Sequence, residues 1–483
     1  MTALTFYGGV EEIGGNKILL QTKNSKIFFD FGMSFKRAGL YFSEFLQPRK
    51  LNGIGDFLEF GLIPDLSGLY RTDYLKHMGR KEEERKYDAV FLTHAHADHI
   101  SYVHHLREDI PIYSSEATEK IMQALEDTGS SGFADFIHLK VNFKLEERKK
   151  GEGLKRTRGY KVKRDFRIIE QEIKIDDIKV TALPVDHSLP GALGYIIETP
   201  DGPIVYTGDL RFHGYQRELT ERFIEKASRI KPKVLIIEGT RIGEKGALSE
   251  EKLGERVYEV VKRTKGLVVV NFPMRDLDRM KSFLKVAQRT GRRLVINTKQ
   301  AYLLKLLSGV NCDCPSLEDV GIYIQRKTWG LIGRDDFPED IIRQDYSRYP
   351  WELEFIDHSS ALTYRDIRNN PEHFIFRCDF FELKELIDIR PPRQSCYVRS
   401  VTEPFDEEME IEKKKADNWL KHFGLYPYEQ IHCSGHASGE ELVKIARELH
   451  PQILIPVHTE HPHLFKKFYK NTRIVKEGET VFI

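Results

Sequence analysis

Cysteine is scarce: there are five in 483 residues, and Cys312 and Cys314 lie two apart with no second pair at zinc-ribbon spacing. That excludes a disulfide framework and points to reduced thiols in a cytoplasmic protein. No apolar run approaches the length that spans a bilayer, so no membrane association is expected. The opening Met1-Thr2-Ala3-Leu4-Thr5-Phe6 lacks the basic and apolar stretches of a signal peptide, so no leader is expected. An excess of either charge is missing too, with 75 Lys and Arg against 74 Asp and Glu. The chain as a whole is therefore no polybasic nucleic-acid binder, and any such contact must come from local patches. Internal repeats and low-complexity tracts are absent, which sets solenoids aside. The glycine-rich segment Gly8 to Asn16 carries no P-loop signature and reads as a tight hairpin.

What remains is a globular profile, 31% charged and 40% hydrophobic, in a chain long enough for two or three domains. Residues 34–86 read as a long loop with helical pieces, ending in a charged helix over 79–86. A further helix is expected from Asp98 to Glu108. Strands are expected at Ile178 to Leu183, Leu193 to Glu198, Pro203 to Tyr206 and Lys233 to Glu238. From about residue 250 helices and strands alternate, which implies a mostly parallel sheet and a second domain over 240–425. The end of the chain returns to a helix at Gly439 to Leu449 and a strand at Gln452 to Pro456.

The densest chemistry is Thr93-His94-Ala95-His96-Ala97-Asp98-His99, directly after the apolar run Ala89-Val90-Phe91-Leu92. Residues two apart on an extended segment point the same way, so His94 and His96 can hold one ion. Asp98 and His99 fall on the next turn and can face a second. Other expected strands also end in ligand types: Asp186-His187 after Val185, Asp209 after Thr207-Gly208, and His458 after Val457. Ligands gathered at strand ends are how an α/β scaffold builds a rigid site. The assignment is His94, His96 and His187 on one ion, Asp98, His99 and His458 on the other, and Asp209 between them. Imidazole and carboxylate donors suit two zinc ions, with manganese as the other candidate. Such a pair activates water for in-line attack on phosphorus. Asp30 is expected either to orient part of this site by hydrogen bonding or to be a plain strand-end turn residue.

Residues 140–167 form the strongest charge run, with twelve basic and four acidic groups. Two readings stand side by side: a solvated hairpin or loop, and a basic arm that tracks a phosphate backbone.

The His94–His99 motif with His187, Asp209 and His458 resembles the metallo-β-lactamase superfamily. Glu238, His436 and His458 fall where motifs A, B and C of its β-CASP nuclease branch are expected. The Gly8–Asn16 opening, Cys433-Ser434-Gly435-His436-Ala437-Ser438-Gly439-Glu440-Glu441-Leu442 and Pro456-Val457-His458-Thr459-Glu460 are similar to ribonuclease J of the archaeal type. The resemblance covers 1–33, 88–300 and 395–483, and the segments 34–86 and 140–167 look like insertions.

That resemblance implies an α/β fold: an αββα metallo-β-lactamase sandwich built from 1–239 and 426–483, with a β-CASP α/β domain inserted at 240–425. It implies hydrolysis of single-stranded RNA, 5′-to-3′ exonucleolytic with endonucleolytic cleavage as well, and a homodimer. A histidine at position 458 favours RNA, since DNA-specific members of the branch tend to carry valine there. Asp98, His436 and Glu238 would be the catalytic residues. His436 would donate a proton to the leaving oxygen or grip the phosphate, and Glu238 would orient a histidine or a ligand, or else simply pair with Arg241. Ser434, Gly435 and the amides after them would form an anion nest at the start of the Gly439 helix, binding substrate with His436. Arg275, Arg279, Ser359, Ser360, Arg390 and Arg393 are candidates for phosphate contacts from the second domain. Other readings are an endoribonuclease only, a DNA nuclease, a hydrolase of a small ester and a non-catalytic RNA-binding scaffold.

Overall fold

A computed structural model describes residues 1–43, 45–129, 132–326, 329–331, 336–346, 349–404 and 407–483. Three large sheets organise the chain. The first runs, in spatial order, Thr480–Phe482, Ala3–Phe6, Ile18–Gln21, Lys26–Phe29, Ala89–Phe91, Ile112–Ser114 and Phe166–Ile168. The second runs Ile453–Val457, Val234–Glu238, Gly202–Tyr206, Leu193–Thr199, Ile178–Pro184 and Glu172–Ile175. Both ends of the chain thus enter the same pair of sheets.

Alternation explains why these two sheets face each other. Leu4, Phe6, Ile18, Phe29 and Phe91 point from the first sheet into one buried cluster with Val180, Tyr195, Ile197, Ile204, Tyr206 and Ile455 from the second. The helices Arg217–Ile230 and Gly439–Leu449 cover the outer face of the second sheet, through Phe223, Ile224, Leu442 and Ile445. The outer face of the first sheet, including Leu19, Phe28 and Val90, joins a cluster that continues into the inserted part. The result is an αββα sandwich of the metallo-β-lactamase kind.

The third sheet runs Ala361–Leu362, Gly321–Tyr323, Arg293–Asn297, Phe374–Arg377, Val268–Asn271, Cys396–Arg399 and Glu429–Gln430, and every paired strand in it is parallel. Runs such as Val268-Val269-Val270, buried throughout, suit a sheet covered on both faces. All of it is inserted between the strand ending at Glu238 and the strand starting at Ile453. Its last strand lies just past residue 425.

Three local expectations are corrected. No helix forms over 79–86, because side chains hold that segment extended: Gly68 N donates to the Glu83 carboxylate at 2.6 Å, and Arg107 donates to the Glu83 carbonyl at 2.7 Å. The helix expected from Asp98 to Glu108 is a single turn, Ala97–Ile100, followed by the 3-10 turn Ser101–His105. Its carbonyls are taken from outside: Met33 N binds Ala97 O at 3.2 Å, Gly15 N binds Asp98 O at 3.0 Å, and Phe31 N binds His99 O at 2.8 Å. The same bonds show that Gly8–Asn16 is no tight hairpin but a loop wrapped onto Asp98. Gly14 and Gly15 have φ of 79° and 77°, and a Cβ on Gly32 would sit 1.6 Å from the Asp98 carbonyl oxygen, so this close approach requires glycine. Beneath the loop, Lys17 donates to Gly15 O and Gly32 O at 2.9 and 3.0 Å, and burial pushes its ammonium down to about 8.

Candidate metal centre

The strands ending at Pro184, Tyr206, Glu238 and Val457 run in one direction, so their C-terminal ends share one edge of the second sheet. The strand ending at Phe91 delivers the His94–His99 turn to the same place. His94, His96, His187 and Asp209 form one group whose ligand atoms all lie within 4.8 Å of each other; Asp98, His99 and His458 form a second, and Asp209, His436 and His458 a third. Asp209 is central: its Oδ2 is 3.6 Å from His94 Nε2, 3.2 Å from His99 Nε2, 3.7 Å from His458 Nε2 and 3.8 Å from His436 Nδ1. His458 Nε2 lies 2.9 Å from Asp98 Oδ2.

Surrounding groups fix these rings. Asp30 accepts from Thr93 N at 2.8 Å, from Tyr206 Oη at 2.7 Å, and sits 2.9 Å from His99 Nδ1. Of its two expected roles, orientation is the one its contacts provide. His187 Nδ1 lies 2.6 Å from Gly435 O, and Thr240 Oγ1 lies 2.8 Å from His458 Nδ1. Asp30 and His458 both adopt positive φ, 56° and 52°, a strained conformation for non-glycine residues that the packing around them imposes.

The electrostatics divide the histidines. Burial, with His99 and His187 beside it, drives His94 well below its ordinary range. Burial also takes His96 down to about 3 and His187 well below its usual value. These rings are neutral and carry free lone pairs, as metal ligands must. Burial alone would raise Asp98 and Asp209, but the imidazoles of His99 and His458 hold both carboxylates ionised. For His99 burial is outweighed by Asp209, Asp30 and Asp98, which lift it well above its usual value. A divalent cation competes with that proton for the same lone pair.

The donor set fits such cations. Both oxygens of Asp209 and Nε2 of His99 are buried with no hydrogen bond among the described residues. His94 Nε2 and His187 Nε2 point at His96 Nδ1 from 2.9 and 3.1 Å, all lone pairs converging on one spot. Nitrogen and carboxylate donors in this number suit zinc or manganese.

Glu238 and His436 meet beside this cage. The Glu238 carboxylate lies 3.3 Å from His436 Nδ1, whereas Arg241 pairs with Glu244 at 2.8 Å. Burial lowers His436, but Glu238 and Asp209 outweigh it and raise the ring to about 9. The anion nest expected at the Gly439 helix is not formed. His436 N donates to Ser434 Oγ, Ala437 N to Leu210 O, Ser438 N to the Glu441 carboxylate and Gly439 N to Glu244 O. The helix caps itself through Ser438 and Glu441, leaving Ser434 and Gly435 beside His187 without those amides.

Of the arginines expected on phosphate, Arg275 reaches back from the inserted part and donates to Ala95 O at 2.8 Å, bracing the ligand turn. Arg279 is fully buried and spent on Glu250, Ser400 and Cys433 O, so it has no free donor face. Ser360 is buried against Arg293. Sequence reasoning missed Arg211, also fully buried, which bonds Asp278 at 2.6 Å and Ser434 O at 3.1 Å and lies 3.4 Å from Asp186. It ties the strand ends carrying His187 and Asp209 to the inserted part. It missed Thr240 as well. Both lie two residues beyond a strand-end acid, Asp209 or Glu238, and that spacing is the one signal that could have found them.

Two stretches match family models: residues 63–249 match the beta-lactamase superfamily domain, and residues 428–481 match the Zn-dependent metallo-hydrolase RNA specificity domain. The chain is 23% identical over 480 residues to a ribonuclease J of Mycoplasma genitalium, covering 95% of this chain and 68% of that one. It is 22% identical over 465 residues to a ribonuclease J of Pyrococcus abyssi, covering 94% and 88%. A crystal structure of a protein of unknown function from Enterococcus faecalis superposes with a TM-score of 0.72 at 24% identity, over 99% of both chains, which supports the fold. Fold and site together define a metal-dependent hydrolase with the metallo-β-lactamase fold and an inserted domain. Within that class the chain is similar, at low identity, to ribonuclease J of the β-CASP branch. Among the described residues no helix is long and apolar enough to cross a membrane.

Proposed function

We propose that the chain is a dinuclear-metal ribonuclease that hydrolyses single-stranded RNA from the 5′ end and also cuts internally. The observation that carries this reading is the sharing of Asp209: its carboxylate lies 3.6 Å from His94 Nε2 and 3.2 Å from His99 Nε2, and neither of its oxygens has a hydrogen bond among the described residues. RNA as the substrate is supported by the RNA specificity match at 428–481 and by the relatives named ribonuclease J. His94, His96 and His187 would hold one zinc ion, Asp98, His99 and His458 the other, and Asp209 would be shared between them, with manganese able to take their place. A pair of divalent cations, when bound there, supplies a nucleophilic water at neutral pH and neutralises charge on the phosphate.

The chain's own residues do the rest. His436, protonated and held by Glu238, stands 3.8 Å from the Asp209 carboxylate and donates a proton to the leaving oxygen or a hydrogen bond to the scissile phosphate. Asp98 orients His458, and Thr240 holds that ring's other nitrogen. Ser434 and Gly435 line the approach beside His187. The domain inserted from 240 runs past the expected 425 to the last strand of its sheet, Glu429–Gln430, with the sandwich on either side of it, and it would form the other wall of the cleft that takes the RNA. A homodimer rests on the resemblance alone, and sizing chromatography reads it. Five free cysteines suit a cytoplasmic place of action.

The test is incubation with 5′-labelled single-stranded RNA, beside matched DNA, after chelation and re-addition of zinc or manganese. Mononucleotides from RNA indicate the exonuclease, and discrete internal fragments the endonuclease. No cleavage of RNA with either metal overturns the reading.

A further inference from the structure

The basic run that sequence singled out is an antiparallel ladder, His138–Glu147 paired with Leu154–Lys163. Residues opposite one another share a face. One face carries Leu139 and Val162, Val141 and Tyr160, Phe143 and Arg158, Leu145 and Arg156. Only its first-strand part is docked: Leu139 and Val141 are buried and His77 stacks on Phe143 with centroids 4.2 Å apart, while Arg156, Arg158 and Tyr160 on the same face are exposed. The other face carries Lys140 directly opposite Lys161, Lys163 opposite His138, and Lys155 opposite Glu146, with Lys144 on the same side. Four of the five lysines are exposed and Lys155 is half-buried.

Holding Lys140 against Lys161 is unfavourable in the free protein, since like charges facing each other across a ladder repel. Lys161 has only Glu126, 4.0 Å away, and Lys140, Lys144, Lys155 and Lys163 have no ion pair among the described residues. The root of the hairpin is nevertheless firmly built. Arg164, fully buried, donates to His104 O, Leu106 O and Asp135 O, and Arg71 donates to Lys140 O. Lys144 lies 4.3 Å from the centre of the Tyr160 ring, but a rigid stem that presents five lysines along one face, with one of them near a carboxylate, is a surface for an extended polyanion.

Its position says which task it serves. The hairpin hands over at Arg164 to the strand Phe166–Ile168, which runs parallel to Ile112–Ser114 and Ala89–Phe91. The ligand turn follows the C-terminal end of Ala89–Phe91, so the hairpin springs from the opposite end of the sheet. Its root is therefore separated from the ligand turn by the length of the strands. We propose that the lysine face of 138–163 is a second RNA-contact surface, which grips the backbone of long single-stranded RNA remote from the metal centre. This rests on the ribonuclease reading. A membrane surface is the weaker partner, because the tip Arg148-Lys149-Lys150-Gly151-Glu152-Gly153 offers no apolar side chain to insert.

The experiment compares the intact chain with a variant carrying Lys140→Gln, Lys144→Gln, Lys155→Gln, Lys161→Gln and Lys163→Gln. A second variant, Arg148→Gln with Lys149→Gln and Lys150→Gln, alters only the turn and guards against misfolding of the first. Each is titrated with a long phosphorothioate-linked single-stranded RNA across a salt series, and each is assayed for cleavage of an RNA short enough to lie in the cleft alone. The expected result is that long-RNA binding weakens roughly tenfold or more, and that the salt slope falls by ~0.7 for each phosphate the arm ceases to neutralise. Short-RNA cleavage is unchanged. A slope that moves by less than one such step in both variants overturns the proposal. So does a loss of vesicle binding, measured with anionic phosphatidylserine vesicles, at constant RNA binding. If the intact chain does not cleave the short RNA, the ribonuclease reading fails, while the salt slope still reads the arm by itself.

Discussion

Two histidine clusters lie a few residues apart on one segment, and they are built for different ends. His94, His96 and His99 meet Asp98, Asp209, His187 and His458. His104 and His105, on the turn that follows, meet Arg71, Arg164, Tyr74, Phe57 and Phe133. Both clusters are buried. In the second, His104 is satisfied within the fold: its Nε2 lies 2.7 Å from Tyr74 Oη, and its Nδ1 accepts from Asp135 N at 3.0 Å. Burial and the two guanidiniums push His105 down to about 3, and its ring packs 4.4 Å from that of Phe57. Burial makes an imidazole neutral in either place. Ionised carboxylates with unsatisfied oxygens are what turn neutral imidazoles into a cation cage, and only the first cluster has them among the described residues.

The largest contrast should come from the double substitution Asp98→Ala with His99→Ala. It is expected to abolish RNA cleavage and remove one of the two metal ions, with RNA binding retained in a filter assay; retained cleavage would erase the distinction between the clusters. His436→Ala, outside the cage but beside it, is expected to lower kcat by roughly 10²- to 10⁴-fold, the range for a lost general acid, at near-normal metal content. Its proton also predicts a pH profile. His436 is raised to about 9 by Glu238 and Asp209 against burial, so the protonated form persists at neutral pH and is lost as pH rises through the folded value. Cleavage should therefore fall on the alkaline side, and Glu238→Gln should move that fall to lower pH by removing the larger of the two raising charges. An unmoved alkaline limb would mean another group titrates.

Thr240→Val removes a hydroxyl that holds His458 at 2.8 Å and lies 3.3 Å from His436 Nδ1, and a loss of about 10- to 100-fold in metal affinity or rate is expected. The smallest effect belongs to the second cluster. Neither ring nitrogen of His105 has a hydrogen bond among the described residues, so His105→Phe should leave metal content and cleavage unchanged and raise the melting temperature slightly. Loss of metal in that variant would join the two clusters into one site.

The ligand turn, the strand-end positions of His187, Asp209 and His458, and the parallel order of the inserted sheet are legible in the sequence because they rest on local signals: chemical type, alternation and helix–strand spacing. The Gly8–Asn16 loop reads as a hairpin because its purpose is set by Asp98, which is far along the chain. The same long-range bonds shorten the helix that follows Asp98. Arg279 reads as a phosphate contact because a lone arginine on a helix looks available, and only tertiary structure shows Glu250 and Ser400 enclosing it. The anion nest fails only in part for a reason visible in the sequence: Ser438 and Glu441 spell a capping box that takes Ser438 N, but Ala437 N and Gly439 N are taken by Leu210 O and Glu244 O, which only the fold brings near.

The most direct measurement is the metal content of the intact chain by elemental mass spectrometry, beside that of Asp209→Ala. The account predicts two divalent ions per chain, and a loss of both, or of tight binding at both, when the shared carboxylate is removed. A single ion in the intact chain, or two ions undisturbed by Asp209→Ala, would contradict it.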